Sequence, residues 1–364
     1  MSYLVSVVVP TKNRYKYLKH LIKLVDSFQL PELEFVIQDN SDDNSEILSF
    51  LKSYSNPHIK YFYSTDALTM SQNGELAIRR STGDYVCYIG DDDGVCRNIV
   101  DCARWMKSKE IDAAFNTNVW YNWNGNAKLQ TPADGYILHD TQAELHSLLK
   151  KGCNLLETNM PMIYHGIVRK TVLEEIIQRY GTLFPSVPPD ISGSICLASV
   201  IDKCCELRTP VIINGTSQMT GGGVVGKGGV LELNDVGFIT QQDIEEWENN
   251  IPPIWCGNYG WANSAIKTLR KTGHYTLAEK VDFEYCFAKA VSLRPQKKEL
   301  WKFGEKYSTN RLKFFVLVMV LMIKKYYKKL SSNMPWAIQS QTGLKTIVDA
   351  EAFFMIKTKT FPSY

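Results

Sequence analysis

The chain has no Cys-x-x-Cys pair, no apolar run near the ~20 residues that cross a bilayer as a helix, and no dominant sign of charge. Its nine cysteines are scattered apart from the adjacent Cys204 and Cys205, and no His-rich segment lies beside them. That pattern is expected of reduced core thiols in a cytosolic protein. Lys and Arg number 41 against 38 Asp and Glu, and a balance of +3 is too small to argue for nucleic acid as a partner. The N-terminus, MSYLVSVVVPTKN, lacks a basic segment before its short apolar run, so it reads as a first strand and not as a signal peptide. The histidines have no metal-ligand spacing, there is no G-x-S-x-G elbow, and neither internal repeats nor low-complexity segments occur. With 45% apolar and 22% charged residues among 364, an ordinary globular protein of one large domain with an appendage, or of two domains, is expected.

What is present first is alternation. Leu4–Val9 is a β-branched run stopped by Pro10, as in a strand buried on both faces. Leu18, Leu21, Ile22 and Val25 then share a helical face. Further strands are read at Leu33–Asn40, at IKYFYS and at Asp84–Ile89. The helices between them are expected to start at a Ser41 cap and to stop at Gly83. Such βαβ units give a parallel sheet, whose ligands sit outside the carboxyl ends of the strands. Pro10–Arg14, Asp39–Asn40 and Asp91–Asp93 each follow a strand and are expected to meet there. Beyond, VWYNWNGNAKLQ reads as a hairpin turning at Asn124–Gly125, Pro188–Pro189 start a helix with Asp190 in its first turn, and from Trp261 onward the patterns are helical without clear strands.

Asp91, Asp92 and Asp93 repel one another unless something positive lies against them. Carboxylates at a strand end can grip a hard divalent ion, although a solvated turn has the same composition. An EF-hand is excluded by spacing, since alternating acidic ligands and the distal Glu are missing. Gly221, Gly226 and Lys227 fit G-x-x-x-x-G-K, but Gly228 follows where Ser or Thr is needed, so Thr220–Gly229 reads as a glycine-hinged flap on which Lys227 could reach a diphosphate.

VSVVVPTKNR, VIQDNSDDN and GDYVCYIGDDDG, in this order and spacing, resemble the family 2 glycosyltransferases, clearly over residues 4 to 115 and less so to about 215. The resemblance implies a GT-A fold, a Rossmann-like, mostly parallel α/β sheet flanked by helices, and inverting transfer from a nucleotide-sugar donor, a UDP-sugar in the first instance. It implies that Pro10, Thr11 and Arg14 line the base, with Asn13 in the same donor-binding segment, and that Asp39 accepts hydrogen bonds from the base. Asn73 and Arg80 are then expected near the ribose and phosphates. The acidic run corresponds to the D-x-D motif that holds Mn2+ or Mg2+ on the donor diphosphate. Here Gly90 stands where many relatives have the first Asp. Alignment favours Asp92 as ligand, while bare spacing favours Asp91 with Asp93, and Asp91 is also expected to touch the donor. Relatives carry a comparable Pro-Asp or Glu-Asp pair about a hundred residues further on, which makes Asp190 the candidate base for the acceptor hydroxyl; a helix N-terminal Asp favoured by the dipole is the plainer alternative.

Arg311–Leu330 contains ten uninterrupted apolar residues, Phe314–Ile323, flanked by lysines with no acid. It is expected to be an amphipathic contact with an anionic membrane surface, or else a core helix. The organisation read from these features is a catalytic domain at 1–215, a Gly-rich flap and connection at 216–260, and a helical C-terminal region at 261–364. The protein is expected in the cytoplasm, peripheral on the inner face of the membrane, extending a glycan or lipid-linked saccharide acceptor. The rival enzyme class is a nucleotide-sugar nucleotidyltransferase, disfavoured because PTKNR lacks the glycines of its phosphate loop; a non-catalytic sugar-binding protein is the other alternative.

Overall fold

The computed structural model describes residues 3–131, 134–218, 230–331 and 338–357. The apolar runs become the centre of an eight-stranded sheet ordered β3-β2-β1-β4-β10-β6-β11-β9. Its strands are β1 (Val5–Thr11), β2 (Leu33–Asp39), β3 (Ile59–Tyr63), β4 (Tyr85–Tyr88), β6 (Ala113–Asn116), β9 (Tyr136–Asp140), β10 (Gly166–Arg169) and β11 (Lys203–Leu207). β1 pairs in parallel with β2 and β4, with Val7 opposite both Phe35 and Cys87, and β10 and β9 run against the others. A second sheet combines β5 (Gly94–Val95), the hairpin β7 (Val119–Asn122) and β8 (Asn126–Gln130), β12 (Ile212–Thr216) and β15 (Ile338–Gln341). The short pair β13 (Leu231–Glu232) and β14 (Ile254–Trp255) stands apart.

The helices are α1 (Tyr15–Phe28), α2 (Ser45–Leu51), α3 (Met70–Arg80), α4 (Ile99–Ser108), α5 (Thr141–Lys150), α6 (Lys170–Tyr180) and α7 (Pro189–Ala198) in the first part. They continue as α8 (Gln241–Glu245), α9 (Gly257–Lys271), α10 (Tyr275–Ala278), α11 (Phe283–Leu293), α12 (Lys298–Tyr307), α13 (Arg311–Ser331) and α14 (Ile347–Lys357). Alternate residues of the parallel strands feed two cores. Val5, Val7, Val9, Phe35 and Cys87 pack with α1 and α4, whereas Val8, Val36, Val86 and Tyr88 pack with α3, α6 and α7. A separate core joins α5 and α7 to α9, α11, α12 and α13.

Three details depart from the sequence reading. The first concerns Ser41, which does not cap α2: Asn44 occupies that position, while buried Ser41 donates its N–H to Asp39 and accepts the Asn13 N–H. The loop after β2 is spent on binding the first loop before the helix can begin. Second, α3 ends at Arg80 with Ser81 after it, and Gly83 serves close packing instead, since a Cβ there would lie 2.8 Å from the Ser6 amide nitrogen. Third, the C-terminal segment is not wholly helical. β15 pairs antiparallel with β8, and Ile347, Ala350, Phe353 and Phe354 of α14 enter the first core.

All nine cysteines are buried and unpaired, as expected of core thiols.

Candidate active site

The carboxyl ends of β1, β2 and β4 bring three loops together. Thr11 closes β1 and donates its hydroxyl to Asp91 Oδ2 at 2.7 Å. Asn13 takes a left-handed backbone (φ 57°) and clamps the neighbouring loop through Ser41 and Asp42. That turn aims Arg14 back at the acidic run, where its Nε lies 3.2 Å from Asp91 Oδ1 and its Nη2 2.7 Å from Asp92 Oδ2. The positive partner demanded by three adjacent carboxylates is therefore Arg14. Asn73 on α3 donates to the Thr11 carbonyl at 3.2 Å and keeps a buried Oδ1 without a partner.

Each acid has a different environment. Burial, and the neighbouring carboxylates, push Asp91 up to about 7 even with Arg14 and Thr11 opposing. Burial and Asp93 likewise raise Asp92. Asp93 is spent: Oδ1 accepts the Gly215 N–H at 2.7 Å, and Oδ2 accepts from the Gly90 N–H, the Tyr164 hydroxyl and His165 Nε2. β12 reaches the run only because residue 215 is glycine; a Cβ there would sit 1.8 Å from the Asp92 carbonyl oxygen.

A hard cation needs carboxylate oxygens that are not already committed. Among the described residues no group of three or more His, Cys, Asp or Glu is arranged as a metal site. What fits Mg2+ or Mn2+ is the pair Asp91 and Asp92, because Asp91 Oδ1 is buried and, beyond its ion pair with Arg14, has no hydrogen-bond partner. Two carboxylates completed by phosphate oxygens and water suit such an ion, and it would compete with the Arg14 guanidinium for the same oxygens. Asp93, with both oxygens engaged, does not fit as a ligand.

Other expected residues are placed as follows. Asp39 is fully buried and accepts from the Tyr15 and Tyr61 hydroxyls (2.6 and 2.7 Å) and the Ser41 N–H (2.8 Å). Pro10 lies on β1 beside this cluster. Arg80 donates to Gln38 and stacks over Phe62 at 4.5 Å, on the sheet face that α3 covers. Lys227 and the rest of the glycine-rich segment fall outside the described residues. Asp190, one residue inside α7, accepts the Ile191 N–H on Oδ1 and the Trp261 indole N–H on Oδ2 at 2.9 Å. Burial raises its pKa, against those two bonds and the charge of His165. His165 in turn is held in a left-handed backbone (φ 62°) between Asp93 and the field of Asp190.

Sequence reasoning missed Tyr15, Tyr61, Tyr164, His165, Ser217 and Trp261. Ser217 donates its N–H to Asp92 and its hydroxyl accepts from Arg14 at 3.0 Å. None of these residues stands in a motif; Tyr15 directly follows Arg14, and the others reach the site from distant stretches of chain.

Residues 6–175, which contain the whole acidic run and its partners at the three strand ends, match the model of glycosyl transferase family 2. The chain carries a family 2 glycosyl transferase domain. It is 27% identical over 128 residues to glycosyltransferase GlyG of Streptococcus pneumoniae, a match covering 34% of this chain and 41% of that protein. It is 30% identical over 92 residues to the GalNAc(5)-diNAcBac-PP-undecaprenol beta-1,3-glucosyltransferase of Campylobacter jejuni, covering 24% and 29%. The chain thus spans less than half the length of these curated relatives. Among solved structures, S. aureus TarS 1-349 with UDP-GlcNAc is similar over 90% of this chain and 92% of that one, at 14% identity and TM-score 0.49. The mannosyltransferase PcManGT from Pyrobaculum calidifontis, solved with GDP-Man and Mn2+, is similar over 92% and 88%, at 13% identity and TM-score 0.41. Likeness at that level is too coarse to place a residue or a substrate. The GT-A fold follows from the sheet order and the family domain together.

Proposed function

We propose that the protein transfers a sugar, with inversion, from a nucleoside-diphosphate donor to a hydroxyl of a glycan or lipid-linked saccharide. The observation that carries this reading is the convergence of Arg14, Asp91 and Asp92 at the strand ends with Asp190 close enough to His165 to share its field. Asp190 takes the proton of the acceptor hydroxyl; the acceptor oxygen bonds to the anomeric carbon as the bond from that carbon to the donor phosphate breaks. The electron pair leaves on the nucleoside diphosphate. Arg14, already facing the acidic pair, is placed to bind the departing negative charge. Asp91 and Asp92 would hold Mg2+ or Mn2+, which when bound supplies positive charge to the diphosphate. Thr11, Asn13 and Asn73 shape the donor loop, and Asp39 holds it through the two tyrosines. A UDP-sugar is the first donor to try, as the resemblance carried by the three strand-end motifs implies.

The test separates binding from chemistry. Asp92→Asn is expected to weaken Mn2+-dependent stabilisation by nucleotide sugars in thermal shift. Asp190→Asn is expected to keep that stabilisation while transfer falls at least a hundredfold. Release of pyrophosphate in place of a nucleoside diphosphate would identify a nucleotidyltransferase, and inertness with every donor a binding protein.

The partner surface is the second part of the proposal. α13 buries Phe314, Val318 and Leu321 against the helical core, yet Leu312, Val316, Met319 and Ile323 on its other side are each more than half exposed. The helix therefore serves both as core and as an outward apolar stripe, rimmed by Lys324 and by exposed Tyr326 and Tyr327. Among the described residues no helix is long and apolar enough to cross a membrane. A stripe of this kind suits an anionic leaflet, where a lipid-linked acceptor would be held. Changing Leu312, Met319 and Ile323 together to Ser is expected to release the protein from phosphatidylglycerol vesicles with its unfolding midpoint unchanged. If vesicle sedimentation persists, the membrane reading fails.

A further inference from the structure

Asp190 and its partner Trp261 both lie beyond the 6–175 stretch that matches the family. Trp261 is on α9, a helix of the C-terminal region, and its indole Nε1–H donates to Asp190 Oδ2 at 2.9 Å. The helix is not there by chance contact. Ser264 and Thr268, three and seven residues on, share a helical face with Trp261. Their hydroxyls seat that face on the first turns of α7: Ser264 donates to the Pro188 carbonyl at 3.2 Å, and Thr268 to Ser192 at 2.9 Å. Ser186, just upstream, joins both hydroxyls at 2.7 and 2.9 Å. All four hydroxyl residues are buried. Such a ladder sets the spacing and rotation of α9 against α7, and the next residue along the face is the tryptophan.

We propose that Trp261 is the positioning residue for the acceptor-activating carboxylate, holding Asp190 Oδ2 in one rotamer with an indole N–H delivered from the C-terminal helices. This rests on the reading of Asp190 as base. Oδ1 is tethered to the Ile191 N–H of the same helix turn, so the indole bond is what prevents the carboxyl group from swinging about that tether. The donor also favours the ionised carboxylate, the form able to accept a proton, against the burial that favours the neutral one. His165, from the loop before β10, is a further titratable neighbour whose field acts on Asp190. The C-terminal region is thereby part of the reacting centre and not only a platform.

Trp261→Phe keeps the ring and removes the donor. With UDP-glucose, UDP-N-acetylglucosamine and GDP-mannose as donor probes, kcat is expected to fall about tenfold to a hundredfold, the worth of a hydrogen bond to a charged group. Donor KM is expected to stay constant, and the acid limb of the kcat–pH profile to move to higher pH. A turnover-independent readout accompanies this. Among the signals of the eight tryptophans in 15N-indole spectra, the one lost in Trp261→Phe is expected to shift with pH in the parent and to be pH-insensitive in Asp190→Asn. Parental kcat and an unmoved acid limb in Trp261→Phe, with Asp190→Asn inactive, would overturn the positioning role and leave the base reading intact. Equal loss of kcat and donor affinity together with a lowered unfolding midpoint would reduce Trp261 to a packing residue. Parental transfer by Asp190→Asn would remove the base and this proposal with it, while the indole signal would still report whether the bond exists. An indole signal indifferent to Asp190→Asn overturns the proposal without any assay of turnover.

Discussion

The parallel-sheet half and the C-terminal helical half bury polar groups in opposite ways. At the sheet edge the buried groups are carboxylates: Asp39, Asp91, Asp92 and Asp93, each within a few per cent of full burial. They are compensated by an arginine, tyrosine hydroxyls and main-chain N–H groups that come from distant segments. Between α7 and α9 the buried groups are the hydroxyls of Ser186, Ser192, Ser264 and Thr268, which satisfy one another. Burying a charge is far more costly than burying a hydroxyl, so the first arrangement needs many dedicated donors and the second needs only mutual geometry. The expensive arrangement holds reactive charge; the cheap one sets where a neighbouring helix sits. Asp190 lies at their junction.

The difference is most exposed to a change at Gly215, where β12 touches the acidic loop. Gly215→Ala forces a Cβ onto the Asp92 main chain, and a loss of about 3 kcal/mol is expected with donor binding abolished. Gly257→Ala, at the start of α9, meets nothing within 4 Å and is expected to leave the unfolding midpoint unchanged or higher. Chemical denaturation of the two variants checks the contrast; equal losses would mean that the two regions tolerate crowding alike.

A smaller effect is expected where the chain's end returns to the first core. Glu351 on α14 is 1% exposed and pairs with the half-open Arg97 at 3.0 Å on each of its two oxygens. Arg97→Ala leaves that carboxylate buried with little but the residue 97 N–H, and a cost of about 2 kcal/mol is expected. Glu351→Gln, which carries no charge to strand, is expected to cost less; denaturant midpoints distinguish them.

The smallest effect is pH-dependent and belongs to the amino end of the sheet. Burial opposes ionisation of Glu34, but bonds from Lys60, Ser6 and Thr82 outweigh it and hold the carboxyl below the usual value of 4.5. A depressed pKa stabilises the fold above the unfolded-state pKa, and that contribution is lost as pH falls through the folded-state value. Glu34→Gln is therefore expected to cost about 1 kcal/mol at pH 7, with the gap to the parent closing below about pH 4.5. A gap that persists unchanged at pH 3 would show that the loss is steric.

The parallel order of β1, β2, β3 and β4 and the meeting of three loops at their carboxyl ends were legible in the sequence. Fully buried strands must be apolar on both faces, and the loops after them must carry the chemistry. The acidic run was visible for the same local reason, charge next to an apolar stretch being conspicuous, whereas Arg14 was singled out through the family resemblance and Asp190 through that resemblance and its place behind two prolines at a helix start. The partners of those charges were not, because Tyr61 to Asp39, His165 to Asp93, Ser217 to Asp92 and Trp261 to Asp190 span 22, 72, 125 and 71 residues. The periodicity of Arg311–Leu330 indicated a helix with an apolar surface too broad for one purpose, and only packing divided it into the buried Phe314–Val318–Leu321 line and the exposed stripe.

The sequence alone determined the first four strands and the helices between them, and that acid would gather at one edge, because local patterning and the rule for parallel crossovers suffice for that. Only the tertiary structure decided that Arg14 neutralises Asp91 and Asp92, that Asp93 is withdrawn into hydrogen bonds, that residues 338–357 close the first core, and that an indole from the last third of the chain grips Asp190. Those outcomes depend on distances between groups remote along the chain, and no pattern confined to neighbouring residues encodes such a distance.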